Sequence, residues 1–430
     1  MQSCSVVFGI ATFCLMARIS ERVLRGPLIL LPGILFLVFD FNSAVDMTHH
    51  WYSTLASLGA VSILMGRLSR GRIVWASLLC GIAALFTQTQ GVLVFAASLI
   101  YLLWCGRSEN EDSALQQIAA FVLPFVITIS AVLGYYAYRS GWHTVFFDLV
   151  EFPLKFLSSG NVNSPQTYLH QFPPLRSRAD VIRLVPFAFI YAIVPYVYFA
   201  GFYRLWRRGR EMPAELRQQL VLLHLVGMGL FLAVANAPRF YRLCTVAPPA
   251  IVVCVWLLSH GGLARKLMLN LLWATVTVFA VVLPVRRQTQ WHGVLYLPVG
   301  RTAFSDHLEF DQFQWMAQRT RPSEPFLNDP SLSLYLALDT PAIAEFINDE
   351  DFTRPEQVSA IVDWIKSRQP RLIVMYPRGV HYSDTHSNSA PFRRYVEQNY
   401  HLVRVFPLRE NNWSEEMWEL GPARSGRSKG

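Results

Sequence analysis

The stretch Gln117-Ile-Ala-Ala-Phe-Val-Leu-Pro-Phe-Val-Ile-Thr-Ile-Ser-Ala-Val-Leu-Gly-Tyr-Tyr-Ala137 carries no charged side chain from end to end. A helix of that length crosses the hydrocarbon core of a bilayer, which needs roughly 17–25 apolar residues. Nine further apolar runs lie at 3–17, 26–41, 51–66, 73–88, 91–105, 184–206, 218–236, 243–260 and 266–285. The pattern predicts a polytopic α-helical membrane bundle of about ten transmembrane helices over residues 1–290. A small extracytoplasmic α/β domain is expected over 291–422, with a disordered tail at 423–430. Several runs are at or below spanning length, so their ends must extend into polar residues.

Composition agrees with that division. Apolar residues make up 53% of the 430 and charged residues 16%, against roughly 25% charge in soluble domains. The net charge of +9 does not imply nucleic-acid binding, because the arginines cluster between apolar runs. Arg18, Arg22 and Arg25 form one group, Arg67, Arg70 and Arg72 a second, and Arg204, Arg207, Arg208 and Arg210 a third. This is the distribution of cytoplasmic loops facing anionic lipid. The six cysteines, Cys4, Cys14, Cys80, Cys105, Cys244 and Cys254, lie in or beside apolar runs with no metal-ligand spacing. They read as small buried hydrophobes.

Alternate short loops carry roughly fourteen Lys and Arg on one side and about two on the other, which makes the basic side cytoplasmic. The N-terminus, loops 40–50 and 87–91, segment 138–183, loop 236–242 and the C-terminal domain then lie outside. Segment 138–183 contains amphipathic pieces such as Val145–Phe156, expected to lie along the outer leaflet. No basic region precedes Val6–Met16, so this start is no ordinary signal peptide. A chain that begins outside with a short helix implies further sequence upstream. Pro32, Pro124, Pro195, Pro248 and Pro249 fall inside apolar runs. Prolines are tolerated in a bundle whose neighbours satisfy the carbonyls they free.

In the C-terminal domain, Pro325–Asn328, Arg371–Tyr376, His401–Phe406 and Glu416–Leu420 read as strands, and Ser331–Leu338 and Pro391–Tyr400 as helices. Thr353-Arg-Pro-Glu356 is a capping box opening a helix to Ser367, with Val358, Ile361, Val362 and Ile365 on one face.

No P-loop, GxSxG, HExxH or GxGxxG motif is present, so chemistry must lie where polar residues gather at the outer helix ends. The first such cluster, Asp40-Phe-Asn-Ser-Ala-Val-Asp46-Met-Thr-His49-His50-Trp51-Tyr52, combines carboxylates, imidazoles and aromatics. Asp46 and His50 are its weak candidates for catalysis, as a general base or as ligands of a possible divalent cation, though no metal site is assigned. The alternative is a solvated loop anchored at the headgroups by Trp51 and Tyr52. The second cluster, Thr87-Gln88-Thr89-Gln90-Gly91, offers the amides of Gln88 and Gln90 to a sugar or phosphate; its alternative is a plain polar turn. The third, Asn236-Ala-Pro-Arg239-Phe-Tyr-Arg242, places two arginines on the side otherwise poor in them. A phosphate clamp is one reason for that, an interfacial anchor or an ion pair another. Lys155 and Arg139 are secondary phosphate candidates. His224 and His260 read as packing or interfacial residues, and His381, His386 and Asp384 form only a weak metal pattern.

These features, in this order, resemble the GT-C-type membrane glycosyltransferases of the protein-mannosyltransferase and lipid A aminoarabinose-transferase kind. The likeness rests on His50-Trp51 opening a helix and the helix pair meeting at Thr87-Gln-Thr-Gln-Gly91. It also rests on Phe152-Pro-Leu154, on Asn236-Ala-Pro-Arg239 before a Pro-rich helix, and on the tail from Val299-Gly300 to Glu416-Met-Trp-Glu419. It spans nearly the whole chain through short, degenerate motifs. The resemblance implies transfer of a sugar from a polyprenyl-phosphate donor to a lipid or glycan acceptor at the outer face. The family's catalytic Asp lies in a first outer loop after an initial helix. The resemblance implies that both lie upstream of this sequence, so no residue is carried over to that role and the chain as given is expected to be truncated and inactive. The competing readings are a transporter or flippase for a lipid-linked intermediate and a non-enzymatic membrane scaffold. A transporter would show repeats and midplane polar residues in broken helices; here the polar residues gather at one end.

Overall fold

A computed structural model describes residues 2–41, 48–106, 111–154, 168, 181–236, 238–260, 262–289, 292–327, 330–341, 355–375, 390–407 and 414–421. Its contacts divide the chain into two compact units, one reaching Leu283 and the other holding Pro284–Gly430 together with Lys155–Ser159.

All ten apolar runs are helical. The first unit comprises α1 (Gln2–Val23), α2 (Leu31–Leu35), α3 (His49–Leu64), α4 (Arg70–Phe86), α5 (Gln88–Gly106) and α6 (Glu111–Ser140). It continues with α7 (Trp142–Phe146), α8 (Val181–Arg208), α9 (Ala214–Val234), α10 (Phe240–Ser259) and α11 (Leu263–Thr289). The run 26–41 is not one continuous helix. A 3-10 turn at Gly26–Ile29, α2 and a π turn at Phe36–Asp40 follow one another. Of the amphipathic piece after α6, α7 and a π turn at Phe147–Glu151 are seen, with Trp142 and Leu154 exposed.

Six helices are long and apolar enough to cross a membrane, over Gln88–Cys105, Leu115–Ser140, Leu184–Glu211, Ala214–Val234, Phe240–Ser259 and Leu263–Arg286. Six of the expected ten thus meet the length and composition of a membrane span among the described residues. The reason is physical. Helix α3 has only 16 residues, and Ser53, Thr54, Ser57 and Ser62 are among those it buries. Being enclosed by protein, it satisfies its hydroxyls on neighbours: Ser53 Oγ donates to the Ala83 carbonyl at 3.0 Å and Ser57 Oγ to Ser53 at 2.8 Å. At the other extreme, the spans in α6 and α11 are only 11% buried and expose Leu123, Ile127, Leu271 and Val281. These two are the most apolar of the six spans, as suits helices facing hydrocarbon, while α10 is apolar enough to cross although largely buried.

Helix direction alternates as the charge pattern requires. At one end, Arg204 and Arg265 both donate to the His260 carbonyl, at 2.9 and 3.2 Å. Nearby in the chain order, Gln219 reaches the Met65 carbonyl at 3.3 Å and Arg217 lies over the Trp104 ring. The Arg-rich ends of α8 and α11 thus meet the C-terminus of α10, and those of α3 and α5 meet the start of α9. At the opposite end, Phe8 packs edge-on against Trp51 and Tyr52, Tyr52 stacks on Phe86 at 5.2 Å, and Phe187 meets Phe240 at 5.2 Å.

Two helix prolines have their freed carbonyls capped from elsewhere in the chain. Pro195 leaves the Tyr191 carbonyl without its i+4 amide, and the Tyr168 hydroxyl donates to it at 2.6 Å. Pro249 does the same to Thr245, whose carbonyl accepts from Thr54 Oγ1 at 2.6 Å. Between α4 and α5 there is a single linking residue, Thr87. The helices approach so closely that a Cβ on Gly91 would stand 2.1 Å from the Ala84 amide nitrogen.

The second unit carries a hairpin, β1 (Gly293–Leu297) and β2 (Gly300–Phe304), then α12 (His307–Ala317). None of these three was anticipated. There follow β3 (Phe326–Leu327), α13 (Pro330–Leu336), α14 (Pro355–Arg368), β4 (Leu372–Met375), α15 (Ala390–Asn399), β5 (Tyr400–Pro407) and β6 (Ser414–Leu420). The four-stranded sheet has the order β3-β4-β6-β5, parallel only between β3 and β4. Strand β4 is buried on both faces. Leu372 and Val374 join Phe313 and Met316 of α12 in one core, while Ile373 and Met375 join Ile361 and Ile365 of α14 in the other. Arg371 pins the sheet's start, pairing with Glu324 at 2.9 Å and Glu419 at 3.0 Å. Residues 353–354 of the capping box and the tail from 422 lie outside the described residues.

Replacing Thr54 by Val should leave the Thr245 carbonyl unpaired and cost about 1–2 kcal/mol of stability. In a Pro249→Ala background, where an amide again serves that carbonyl, the same substitution should cost markedly less. Chemical denaturation of the four proteins in one detergent reads the coupling, and equal losses in both backgrounds would refute the capping role.

Candidate functional site at the aromatic end of the bundle

The polar clusters read from the sequence converge where α3 and α10 begin. Thr48, extended at φ −69° and ψ 166°, precedes α3, so His49 and His50 stand in its first turn. Arg239 is the extended residue before α10, and Arg242 lies in that helix's first turn. A chain of hydrogen bonds joins the two starts. Thr54 Oγ1 sits 3.1 Å from the His50 carbonyl and 2.6 Å from the Thr245 carbonyl, and Thr245 Oγ1 donates to the Arg242 carbonyl at 2.8 Å. His50 and Arg242, distant in sequence, thereby become electrostatic neighbours.

His50 is half-buried, and its Nδ1 has no hydrogen-bond partner among the described residues. Burial first, then His49, whose tilted ring lies 4.2 Å away, then the Arg242 guanidinium, push its pKa down to about 4. At neutral pH it is therefore an uncharged imidazole at a place of positive potential. The amino ends of α3 and α10 add to that potential. Arg239 and Arg242 are both half-buried. Such a locus disfavours a proton and favours an anion, and planar guanidinium groups match phosphate oxygens in pairs.

Asp40, at the end of the π turn, is fully buried, and the Cys244 thiol of α10 lies against its carboxylate. The sequence placed Asp40 in an outer loop; the structure places it inside the packed end, with Phe39 held between Phe189 and Phe279 beside it. Gln88 is exposed at the first residue of α5. Gln90 is wholly enclosed, and neither of its amide atoms has a hydrogen-bond partner among the described residues. The close approach at Gly91 is spent on packing α5 against α4.

Asp46, Lys155, and the loop with His381, Asp384 and His386 lie outside the described residues. Among the described residues no three His, Cys, Asp or Glu side chains gather to hold a metal ion. His224 bonds the Leu220 carbonyl at 2.7 Å and its Nε2 occupies the space a Cβ on Gly201 would need, which is a packing role. His260 sits among Ser259, Trp256 and Arg204 at the basic end. Arg139 is exposed in the last turn of α6. The carboxylate beside Cys244 and the join between His50 and Arg242 were not foreseen; the shared outer position of their helix ends was the one available signal.

Comparison with protein-family models finds no match to this chain, and a search of curated proteins finds none either.

Because the folded state holds His50 below its ordinary value of 6.5, the unfolded chain binds more protons there. The stability contributed is present above about pH 6.5 and is lost as pH falls toward 4. Replacing His50 by Gln should remove about 1 kcal/mol of the stability loss between pH 7 and pH 5, after allowing for its partial exposure. Thermal melts at a series of pH values test this, and parallel curves for the two proteins would count against the assignment.

Proposed function

We propose that this chain is a GT-C-like membrane glycosyltransferase of the bacterial cytoplasmic membrane, with ten crossings and its C-terminal α/β unit outside. It takes a sugar from a polyprenyl-phosphate donor and passes it to a lipid or glycan acceptor at the aromatic end of the bundle. The observation that carries the reading is the positive potential where α3 and α10 begin, expressed in Arg239, Arg242 and the depressed pKa of His50.

The chemistry needs two things. As the bond from the sugar's anomeric carbon to the phosphate oxygen breaks, that oxygen takes the electron pair, and positive charge must meet it. Arg239 and Arg242 are assigned this role. A base must also remove the proton from the acceptor hydroxyl. His50 and Asp46 are the candidates, and an imidazole with pKa about 4 is a weak base until its surroundings change. A phosphate beside it supplies that change, because an adjacent anion favours the protonated ring. Gln88 and Lys155 are assigned to the donor's polar headgroup. Gln90, which is enclosed, is assigned to holding the α4–α5 turn.

Membranes expressing the wild type should transfer label from a radiolabelled polyprenyl-phosphate sugar, and Arg239→Ala with Arg242→Ala should lower the rate at least 100-fold. Purified wild type should also retain polyprenyl phosphate detectable by mass spectrometry, and the double variant should not. Retention equal in both proteins would remove the clamp assignment. Retention without transfer would favour a carrier of lipid-linked intermediates.

A further inference from the structure

The second unit holds a group of cations that the proposed transfer reaction does not use. Trp315, in the last turn of α12, is partly buried and carries two arginines. The Arg319 guanidinium carbon stands 4.3 Å from the ring centre and that of Arg404, on β5, 5.9 Å from it. Arg404 also lies 4.6 Å from the Phe406 ring, which itself meets Trp315 edge-on at 5.6 Å. Both arginines are exposed, and the two guanidinium groups are within about 10 Å of each other.

One cation on an indole is common and stabilises by about 0.5–1 kcal/mol at an exposed site. Two on the same ring repel each other, and an acidic side chain would ordinarily relieve them. Among the described residues neither Arg319 nor Arg404 forms an ion pair with one. The carboxylates around this part of the sheet are engaged elsewhere: Glu324 and Glu419 by Arg371, and Glu416 and Glu415, which pair with β5 at Val405 and Phe406, by Arg393 and Gln312. Arg371 also donates to the Arg319 carbonyl. That bond fixes the backbone on which the Arg319 side chain stands. Two residues on, exposed Arg321 adds further positive charge. Stacking on Trp315 and Phe406 restricts the planes of the guanidinium forks before anything binds, which lowers the entropy lost on binding.

We infer that the stack of Arg319, Trp315 and Arg404 is a binding site for a phosphate-bearing anion whose oxygens engage both forks. With the two guanidinium groups no more than about 10 Å apart, a diphosphate is the smallest probe with a phosphoryl group for each fork. The anion is either a soluble phosphate compound or the headgroup of a membrane lipid. The inference is independent of the transfer reaction, since it uses other residues in the other unit.

The test uses the full chain in nanodiscs. In phosphatidylcholine discs, inorganic pyrophosphate is titrated by calorimetry into the wild type, R319Q/R404Q and R319K/R404K. In discs containing phosphatidic acid, retained phosphatidic acid is counted by native mass spectrometry. A soluble ligand predicts pyrophosphate binding at least 10-fold weaker in the Gln variant and intermediate in the Lys variant, which keeps charge but loses the fork. A lipid headgroup predicts equal pyrophosphate behaviour but loss of retained phosphatidic acid in the Gln variant. Wild type and both variants alike in both arms, including no binding at all, would overturn the site. Thermal melts establish folding, and should the Gln variant not fold, the Lys variant against wild type decides by the same comparison.

Discussion

The bundle depends on carbonyls that its own prolines release. A helix buried in a membrane protein has no water to turn to, so each carbonyl freed by a proline needs a donor from another element. Pro249 frees Thr245, and Thr54 answers from α3; Pro195 frees Tyr191, and Tyr168 answers from the segment before α8. The first pairing fixes more than stability. Thr54 lies one turn into α3 behind His50, and Thr245 three residues into α10 behind Arg242, so the bond sets the register in which these two polar starts meet. A proline that would destabilise a solitary helix thus selects one helix neighbour over others.

The same lack of water explains which parts of the sequence could be read. Helices α6 and α11 face outward over most of their length, and their apolar runs are unmistakable. Helix α3 is enclosed, its hydroxyls are paired with backbone carbonyls, and its sequence is correspondingly polar and short of the apolar length a crossing requires. Length matters as much as burial: α10 is the most buried of the six spans and still qualifies at 20 residues, where α3 stops at 16. Strand β4 shows the matching effect in the second unit. Leu372-Ile-Val-Met375 is apolar on both faces because a helical layer covers each, and its position was plain. The hairpin β1–β2 was not, because its alternation is weak: only Leu297 and Phe304 are buried among its ten residues.

The site was legible as a list of residues and illegible as an arrangement. That His50 and Arg242 fall at helix ends on the side poor in Lys and Arg was readable, but their adjacency comes from α3 packing on α10, which no local pattern encodes. Gln90 misleads in the opposite way. In sequence it is a polar residue in a polar turn; in space the tight crossing at Gly91 carries it inside. Asp40 likewise closes an apolar run, and the π turn that ends the run rotates it into the packed end rather than outward.

Electrostatics at that end couples binding to proton chemistry. His50 is neutral because burial and the adjacent positive groups oppose its protonation, and the same groups attract an anion. In the proposed reaction, a bound phosphate offsets the positive neighbours of His50, leaving only burial to oppose its protonation, and the imidazole becomes a better base. Thermodynamic linkage requires the converse as well: whatever protonates His50 must strengthen the hold on the phosphate. In the transfer reaction proposed above, a histidine so placed is a stronger base in the occupied site than in the empty one. The arrangement also explains why a weakly basic histidine and two arginines belong together at one helix junction, where a resting cationic histidine would only add to the repulsion.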